Sequence, residues 1–436
     1  MARRIVIVGG GIAGLTLAER LTRKDENLDV TVLERYRTPG GLARTFTRDG
    51  FSFDIGPHRF HTSDNAVKNY LLEIMGDEHV TIKRRSNVYM GGRRRNWPLT
   101  LDAVLDLPSS VLVRCLFDLF RKNEVEKIET FADHVISRYG RGLYDYFFRA
   151  YTKKFTGLDP EELHADWAEA GVNRAVIDKN VKADNLLSLV KGILAPKPVS
   201  TIFYYPSSGG IQTFCEKQAR LVLERGGTIV YGCEATGLET HLGRVTGVKT
   251  AGMGTFDSDM VYWSAPLTIL WPRTGFRFMD TLLCNIALPS VRDNDYQWCY
   301  FGQEDIIFSR LTVPRHFRAD MVPTDHDSIT AEITIRDDDL RKNPGKLESR
   351  LLADLEKVGA VDPSKILFMD WMVVPETYPI YDLDYRRRLA GLKPPQGFRL
   401  IGRCGSFWYN NMDHSIGQAL AISAGRDFSR DFWKKS

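Results

Sequence analysis

The sequence predicts an α/β protein built on a doubly wound parallel sheet, with a helical insertion and a second, sheet-containing domain. Three observations lead there. The β-branched run Arg4-Ile5-Val6-Ile7-Val8 passes directly into Gly9-Gly10-Gly11-Ile12-Ala13-Gly14 and then into a helical pattern. Strand-and-helix blocks of the same kind recur far downstream, over 214–263 and 398–426. The length of 436 residues predicts two or three domains, so the intervening stretches read as insertions.

Taken in order, Arg4 to Val8 has the continuous apolar character of a buried parallel strand. Leu15 to Arg23 reads as a helix with Leu15, Ala18 and Leu21 on one side, and Val30 to Leu33 as a second strand ending in Glu34. Together they form an opening βαβ unit. Phe214 to Arg225 reads as a helix closed by Gly226-Gly227, followed by strands at 228–231, 245–250 and 260–263. Phe398 to Ile401 is a last strand, and a helix is expected from about Ser415 to Arg426. On this reading 1–75, 200–267 and 391–436 make one discontinuous nucleotide-binding domain. Residues 76–199 are expected to be a helical insertion, its aromatic-rich Phe131 to Phe155 segment packing a core. Residues 268–390, with alternation around 305–313 and 328–335, are expected to form a substrate-binding sheet domain. The proline-bearing segments Ala195-Pro198 and Leu392-Pro395 read as loops re-entering the first domain.

Composition narrows the function classes. Apolar residues make up 43% and charged residues 26%, as in ordinary globular chains. A net charge of +4 gives no case for nucleic acid. The six cysteines (115, 215, 233, 284, 299 and 404) are scattered, without metal-ligand spacing, so a reduced, cytoplasmic protein with no metal site is expected. The first residues lack a signal-peptide layout. No uncharged apolar run approaches the roughly 18–20 residues of a membrane span. The nearest, Leu107 to Phe120, is broken by Arg114 and Asp118 and reads as a buried amphipathic helix, with monotopic membrane contact as the alternative.

The chemistry-bearing motif is the glycine turn. Gly9, Gly11 and Gly14 follow a strand and open a helix, and the acid Glu34 stands 20 residues past Gly14. The first glycine permits the tight turn, the second lets a pyrophosphate approach the backbone, and the third lets helix and strand pack closely. The helix N-terminus supplies free N–H groups to the phosphates. Glu34 can accept from a ribose 2′-OH, and it would repel a 2′-phosphate. A second double glycine, Gly40-Gly41, flanked by Arg35 and Arg44, marks a further close backbone approach. A cofactor extended across the domain toward a flavin needs that second turn and a simple nicotinamide dehydrogenase does not, so FAD is expected. At the far end, Gly402-Arg403 closes a strand and Met412-Asp413 precedes a helix, whose start can meet negative charge on a reduced flavin.

Val6 to Leu15, Glu34 and Gly40-Gly41 resemble the dinucleotide signature of the amine-oxidase-type flavoproteins. That clan includes protoporphyrinogen oxidase, carotenoid desaturases and UDP-galactopyranose mutase. Further segments are similar to the mutase end: Phe53 to Thr62 to its glycine-histidine loop over the flavin, Thr152 to Gly157 with Pro160 to Leu163 to a substrate-domain segment, and Ser309-Arg310-Leu311 to a strand with a diphosphate-binding arginine. Gly402 to Gly405, Tyr409 and Met412-Asp413 are similar to the C-terminal flavin motif. The resemblance implies a glutathione-reductase-like Rossmann-type fold. It implies cofactor contacts from Gly9, Gly11, Gly14, Glu34, Arg35, Gly40, Gly41, Arg44, His58, Ala235, Gly402, Arg403, Met412 and Asp413. It further implies substrate contacts from Arg174, Arg310, Tyr378 and Tyr409, with His58, Arg310 and Tyr409 nearest the chemistry. His61, Tyr381 and His414 are weaker candidates whose structural roles read as the stronger ones. The chain carries Phe155 where the mutases have tryptophan, and it lacks their compact tyrosine-phenylalanine segment after the substrate arginine.

The first expectation is therefore an FAD-dependent oxidoreductase working at flavin N5 on a small polar molecule, sugar-like or nucleotide-sugar-like. The second is a redox-neutral sugar-ring mutase using reduced FAD as nucleophile. A desaturase-like enzyme on a lipophilic substrate at a membrane is third. A homodimer is left open.

Overall fold

The computed structural model describes residues 2–97, 107–120, 127–170, 202–290 and 295–426. Arg174 and the Ala195-Pro198 loop lie outside them.

A five-stranded, all-parallel sheet organises the nucleotide-binding part. Its order is Phe398–Leu400, Met260–Trp263, Arg3–Val8 (β1), Leu28–Glu34 (β2) and Thr228–Tyr231. The helix Ile12–Lys24 (α1) links β1 to β2. It packs against the helices Gln212–Glu224 and Met412–Ser423, so segments distant in sequence close over one sheet. Ile5, Ile7, Leu17, Ala18, Val32 and Val222 form the buried seam between sheet and helices. The expected strand at 245–250 belongs elsewhere: with Ala235–His241 and Thr255–Asp257 it makes a separate antiparallel three-stranded sheet. Its alternating exposure, one face buried and one solvated, is the pattern of antiparallel pairing.

The second layer is a seven-stranded sheet: Phe368–Pro379, Phe278–Leu288, Asp327–Ile335, Arg310–Thr312, Trp298–Phe301, Ser86–Met90 and Arg93–Asn96. This corrects the expectation of a helical 76–199. Three strands occupy 79–96, and two of them complete the sheet formed by 278–379. The helices expected there follow: Ser109–Phe120, Phe131–Leu143 and Arg149–Thr156. Thr130 caps the second by accepting from Asp133 N, while Asp133 accepts from Thr130 N. Tyr139, Tyr144 and Phe148 are buried in its core, as the aromatic density predicted. The Ser109–Phe120 helix packs on Phe131–Leu143, with Val111 and Leu112 half-buried and Val113 and Phe117 exposed.

No helix among the described residues is long and apolar enough to cross a membrane.

Candidate functional site

The glycine turn is built as its residue types require. Gly9 has φ +101°, and a Cβ there would lie 2.2 Å from Ser264 Oγ. A Cβ on Gly14 would lie 2.0 Å from the Gly9 carbonyl oxygen, so this glycine sets how closely α1 sits on β1. At Gly11 a Cβ would meet only ordinary contacts at 3.7 Å, on the side that opens into a groove. The N-terminus of α1 has no capping side chain and no acid in its first turn, which leaves its amides available to an anion.

Glu34 is buried at the end of β2. Its Oε2 accepts from Gly10 N at 2.6 Å and its Oε1 from Tyr36 N at 2.9 Å, so it fixes the glycine turn as well as lining the groove. The second turn docks on the first: Gly40 N donates to Gly10 O at 2.8 Å, and the Gly41 backbone approaches Gly11. Arg44 Nε donates to Gly41 O at 2.9 Å and its guanidinium lies 3.6 Å from the Tyr36 ring centre. Burial lowers the Arg44 pKa, and the group stays cationic near neutrality.

The C-terminal motif meets this turn from above. Gly402, at φ +69°, sits against Ala13, and its N–H donates to Gln418 Oε1 at 2.7 Å. Arg403 donates through Nη2 to Asn410 O at 2.6 Å and through Nη1 to Thr377 O at 3.2 Å. Met412 opens the final helix at the groove. The result is a continuous groove enclosing about 1170 Å³ including its mouth, running from Glu34, Arg35 and Ala235, over Gly9 and Gly11, past Gly40, Gly41 and Arg44, to His58, Gly402, Arg403 and Met412. Bare backbone floor, uncapped helix start, flanking cations and length all fit an extended dinucleotide.

Two expected contacts are placed differently. Asp413 does not line the groove, because its carboxylate turns toward His414, 3.6 Å from Nδ1. Helical geometry accounts for this: adjacent residues point about 100° apart, so Met412 and Asp413 do not share a face. Gly14 shapes the turn from behind and is not part of the lining. The sequence reading missed Ser264, Ala265 and Pro266 after a sheet strand, and Val374, Pro375 and Glu376 on an arriving strand. It also missed Cys404, Asn410 and Asn411. Glu376 is notable for φ +53° at a non-glycine position. Its carboxylate accepts from Thr268 Oγ1 at 2.8 Å, its N–H donates to Asp280 Oδ1 at 2.8 Å, and burial raises its pKa. The Gly9 clash with Ser264 hints at Ser264, but only once the fold is known.

Beyond His58 and Arg403 stands a cluster of polar and aromatic groups, in which Arg310, Tyr378, Tyr409 and Phe155 are half-buried and Glu332 and Trp167 are buried. Arg310 forms a two-bond pair with Glu332, Nε to Oε1 at 2.6 Å and Nη2 to Oε2 at 2.5 Å. Tyr378 and Tyr409 have ring centres 4.8 Å apart, and Arg403 lies 4.9 Å from the Tyr378 ring. Phe155 packs on Tyr378, and Trp167 on Tyr409. His58 Nδ1 is 3.3 Å from Gly56 O. Burial, helped by Arg403, Arg310 and Arg59, depresses its pKa to about 3. It is therefore a neutral imidazole and no cationic partner for a flavin. The weaker candidates are structural. Tyr381 OH accepts from Tyr409 N at 2.7 Å, His414 Nδ1 accepts from Asn411 N at 3.2 Å, and exposed His61 lies near Ile202 O.

Residues 7–74 match the model of the NAD(P)-binding Rossmann-like domain. A zeta-carotene-forming phytoene desaturase of Myxococcus xanthus is 27% identical over 61% of this chain and 54% of its own length. A probable UDP-galactopyranose mutase of Klebsiella pneumoniae is 26% identical over 37% and 43% respectively. The chain thus spans about half the length of these curated relatives. In three dimensions, the structure of reduced UDP-galactopyranose mutase superposes with a TM-score of 0.83 at 20% identity, covering 98% of this chain and 97% of that one. At this identity the likeness defines a shared fold: a Rossmann-type nucleotide-binding domain joined to a sheet-containing part as in reduced UDP-galactopyranose mutase. At the level of fold, the resemblance read from the two terminal motifs is borne out.

Proposed function

We propose that this chain is an FAD-dependent oxidoreductase acting on a small polar, sugar-like molecule. The observation that carries the reading is the meeting of two different surfaces at His58 and Arg403. On one side is a backbone-floored groove of dinucleotide length; on the other is a cluster of arginine, glutamate and tyrosine side chains. When bound, FAD supplies a two-electron acceptor, or, once reduced, a nucleophile.

The chain's own residues do the rest. Gly9, Gly11 and the first amides of α1 receive the pyrophosphate, with Arg35 and Arg44 adding positive charge. Glu34 orients the turn and faces a ribose. Gly402, Arg403 and the start of the Met412–Ser423 helix bring positive potential to the ring end, where negative charge builds on reduction. Tyr378 and Tyr409 stand in that cluster and offer hydroxyls to a polar ligand. Neutral His58, its Nδ1 directed at Gly56 O, presents Nε2 as a hydrogen-bond acceptor. The Arg310–Glu332 pair orients substrate hydroxyls or a phosphate, with Arg174 as an additional proposed contact. A polar cluster disfavours a lipophilic substrate, because burying these groups against hydrocarbon would leave them unpaired.

A second reading, a redox-neutral sugar-ring mutase, is favoured by the TM-score of 0.83 over 98% of the chain. Anaerobic mixing with nucleotide sugars separates the two. An oxidoreductase loses its yellow colour on adding substrate alone. A mutase turns over only after reduction by dithionite and consumes no further electrons. Failure of a yellow protein to respond to any nucleotide sugar or free sugar, oxidised or reduced, would overturn both.

A further inference from the structure

The strand Phe368–Pro379 breaks its pairing where it reaches the groove. Met279 pairs with Tyr378 and Thr281 with Val374, so Pro375, Glu376 and Thr377 stand opposite the single residue Asp280. A bulge of this kind bends a strand and re-aims a side chain. At its centre is Glu376, whose φ of +53° is a conformation that non-glycine residues adopt at a cost. The surroundings hold it there. Buried Asp280, itself paired with Arg341, accepts from Glu376 N at 2.8 Å. Cys404 Sγ donates to Glu376 O at 3.4 Å. On the next residue, Thr377 Oγ1 donates to Met279 O at 2.9 Å, and Thr377 O accepts from Arg403 Nη1 at 3.2 Å.

The backbone N–H and carbonyl of Glu376 are therefore both engaged, while its side chain is only half so. Oε1 accepts from Thr268 Oγ1 at 2.8 Å. Oε2 has no hydrogen bond, and the carboxylate no ion pair, among the described residues. Glu376 lines the groove. Arg35, beside Glu34, favours its charged form from one side, and Arg403 holds the bulge through Thr377 O from the other. Glu376 thus stands between the Glu34 end of the groove and the Arg403 end. A carboxylate accepts hydrogen bonds and, when ionised, donates none, so it repels a phosphate and suits a hydroxyl.

Resting on the proposed reading of an FAD site, we propose that Glu376 is the residue that holds the sugar-alcohol chain of the cofactor, its carboxylate accepting from a ribityl hydroxyl between the pyrophosphate and the ring. The strained bulge is the device that aims it there. Tyr378 follows the bulge directly, so the contact that fixes the cofactor chain also fixes where the aromatic cluster begins.

The test titrates the full-length protein, stripped of flavin, with FAD and with ADP, which carries the adenosine and phosphates but no ribityl chain. Flavin fluorescence reads the first titration and calorimetry the second. Glu376→Asn keeps the positive φ, which asparagine tolerates, and withdraws the polar group by one methylene. It should bind FAD roughly 10- to 100-fold more weakly, as when a hydrogen bond to a charged group is lost, and ADP within about twofold of wild type. Glu376→Gln, which retains an acceptor oxygen, should lose less. One of the FAD analogues lacking a single ribityl hydroxyl should bind wild type and Glu376→Asn alike. Unchanged FAD affinity in Glu376→Asn, equal losses for FAD and ADP, or analogues that all separate wild type from variant as strongly as FAD does would each overturn this inference alone. A wild type that takes up no FAD overturns the functional reading and this inference with it. If Glu376→Asn does not fold, Glu376→Gln and the same analogues complete the comparison.

Discussion

Replacing Gly11 by alanine separates cofactor binding from folding. Its φ of −85° and ψ of −177° suit any L-residue, and a Cβ would meet nothing closer than 3.7 Å. The substitution should leave the apo fold intact and stabilise it by up to about 1 kcal/mol through reduced freedom of the unfolded chain. The new methyl enters the groove where a pyrophosphate would touch bare backbone. Overpacking of this kind costs about 1–3 kcal/mol, so FAD affinity should fall roughly 5- to 150-fold. Gly14→Ala is the contrasting control. Its Cβ would lie 2.0 Å from a backbone oxygen, so α1 must shift and the apo protein itself should lose stability. The assay pairs FAD titration of stripped protein with its thermal unfolding. A Gly11→Ala protein that binds FAD as tightly as wild type would refute the placement of the pyrophosphate, whatever Gly14→Ala does.

Three further outcomes are expected. Glu332→Leu strands the buried Arg310 guanidinium, so denaturant unfolding should show a loss of about 3–5 kcal/mol; a loss below about 1 kcal/mol would mean Arg310 finds water or another partner. The depressed pKa of His58 means the unfolded chain binds a proton near pH 6.5 that the folded chain refuses. The corresponding stability is present above that pH and declines as pH falls toward 3. Between pH 7 and pH 5 it accounts for at most about 2 kcal/mol, and His58→Gln should flatten that part of the urea-stability profile. Cys404 lines the groove while Cys115 does not, so FAD should slow maleimide labelling of Cys404 and leave Cys115 unchanged. With the Cys404 thiol pushed up to about 11 by burial, labelling should be slow and accelerate at high pH. Equal labelling of Cys404 with and without FAD would move the cofactor away from Gly402-Arg403.

The parts of the fold legible in the sequence are those where one residue type is physically obligatory. Gly9 and Gly14 could be read because nothing with a side chain fits, and β1, α1 and β2 because their apolar periods are clean. The long strands Phe278–Leu288 and Phe368–Pro379 escaped notice for the opposite reason. The first is buried along almost its whole length and has buried polar residues mixed in, so it shows no alternation. Thr281 bonds Thr377 Oγ1 at 2.8 Å and Asn285 accepts from Thr330 at 2.9 Å, pairings visible only across strands. Arg93–Asn96 is an edge strand composed of arginines and asparagine, a composition that blocks edge pairing and disguises a strand as a charged loop. In the site, Arg310 was reached through a family resemblance, whereas its partner Glu332 carries no local signal. Glu376 reaches the groove from within the strand Phe368–Pro379 and Cys404 from the short helix Gly402–Gly405, where no spacing rule announces them.

The central claim is that one FAD lies along the groove joining the glycine turn of Gly9 and Gly11 to Gly402-Arg403. The visible spectrum of the protein purified without added cofactor tests it most directly. The account predicts a two-banded flavin spectrum that co-elutes with the protein and corresponds to one FAD released per chain on denaturation. A colourless protein that takes up no FAD on reconstitution would contradict it.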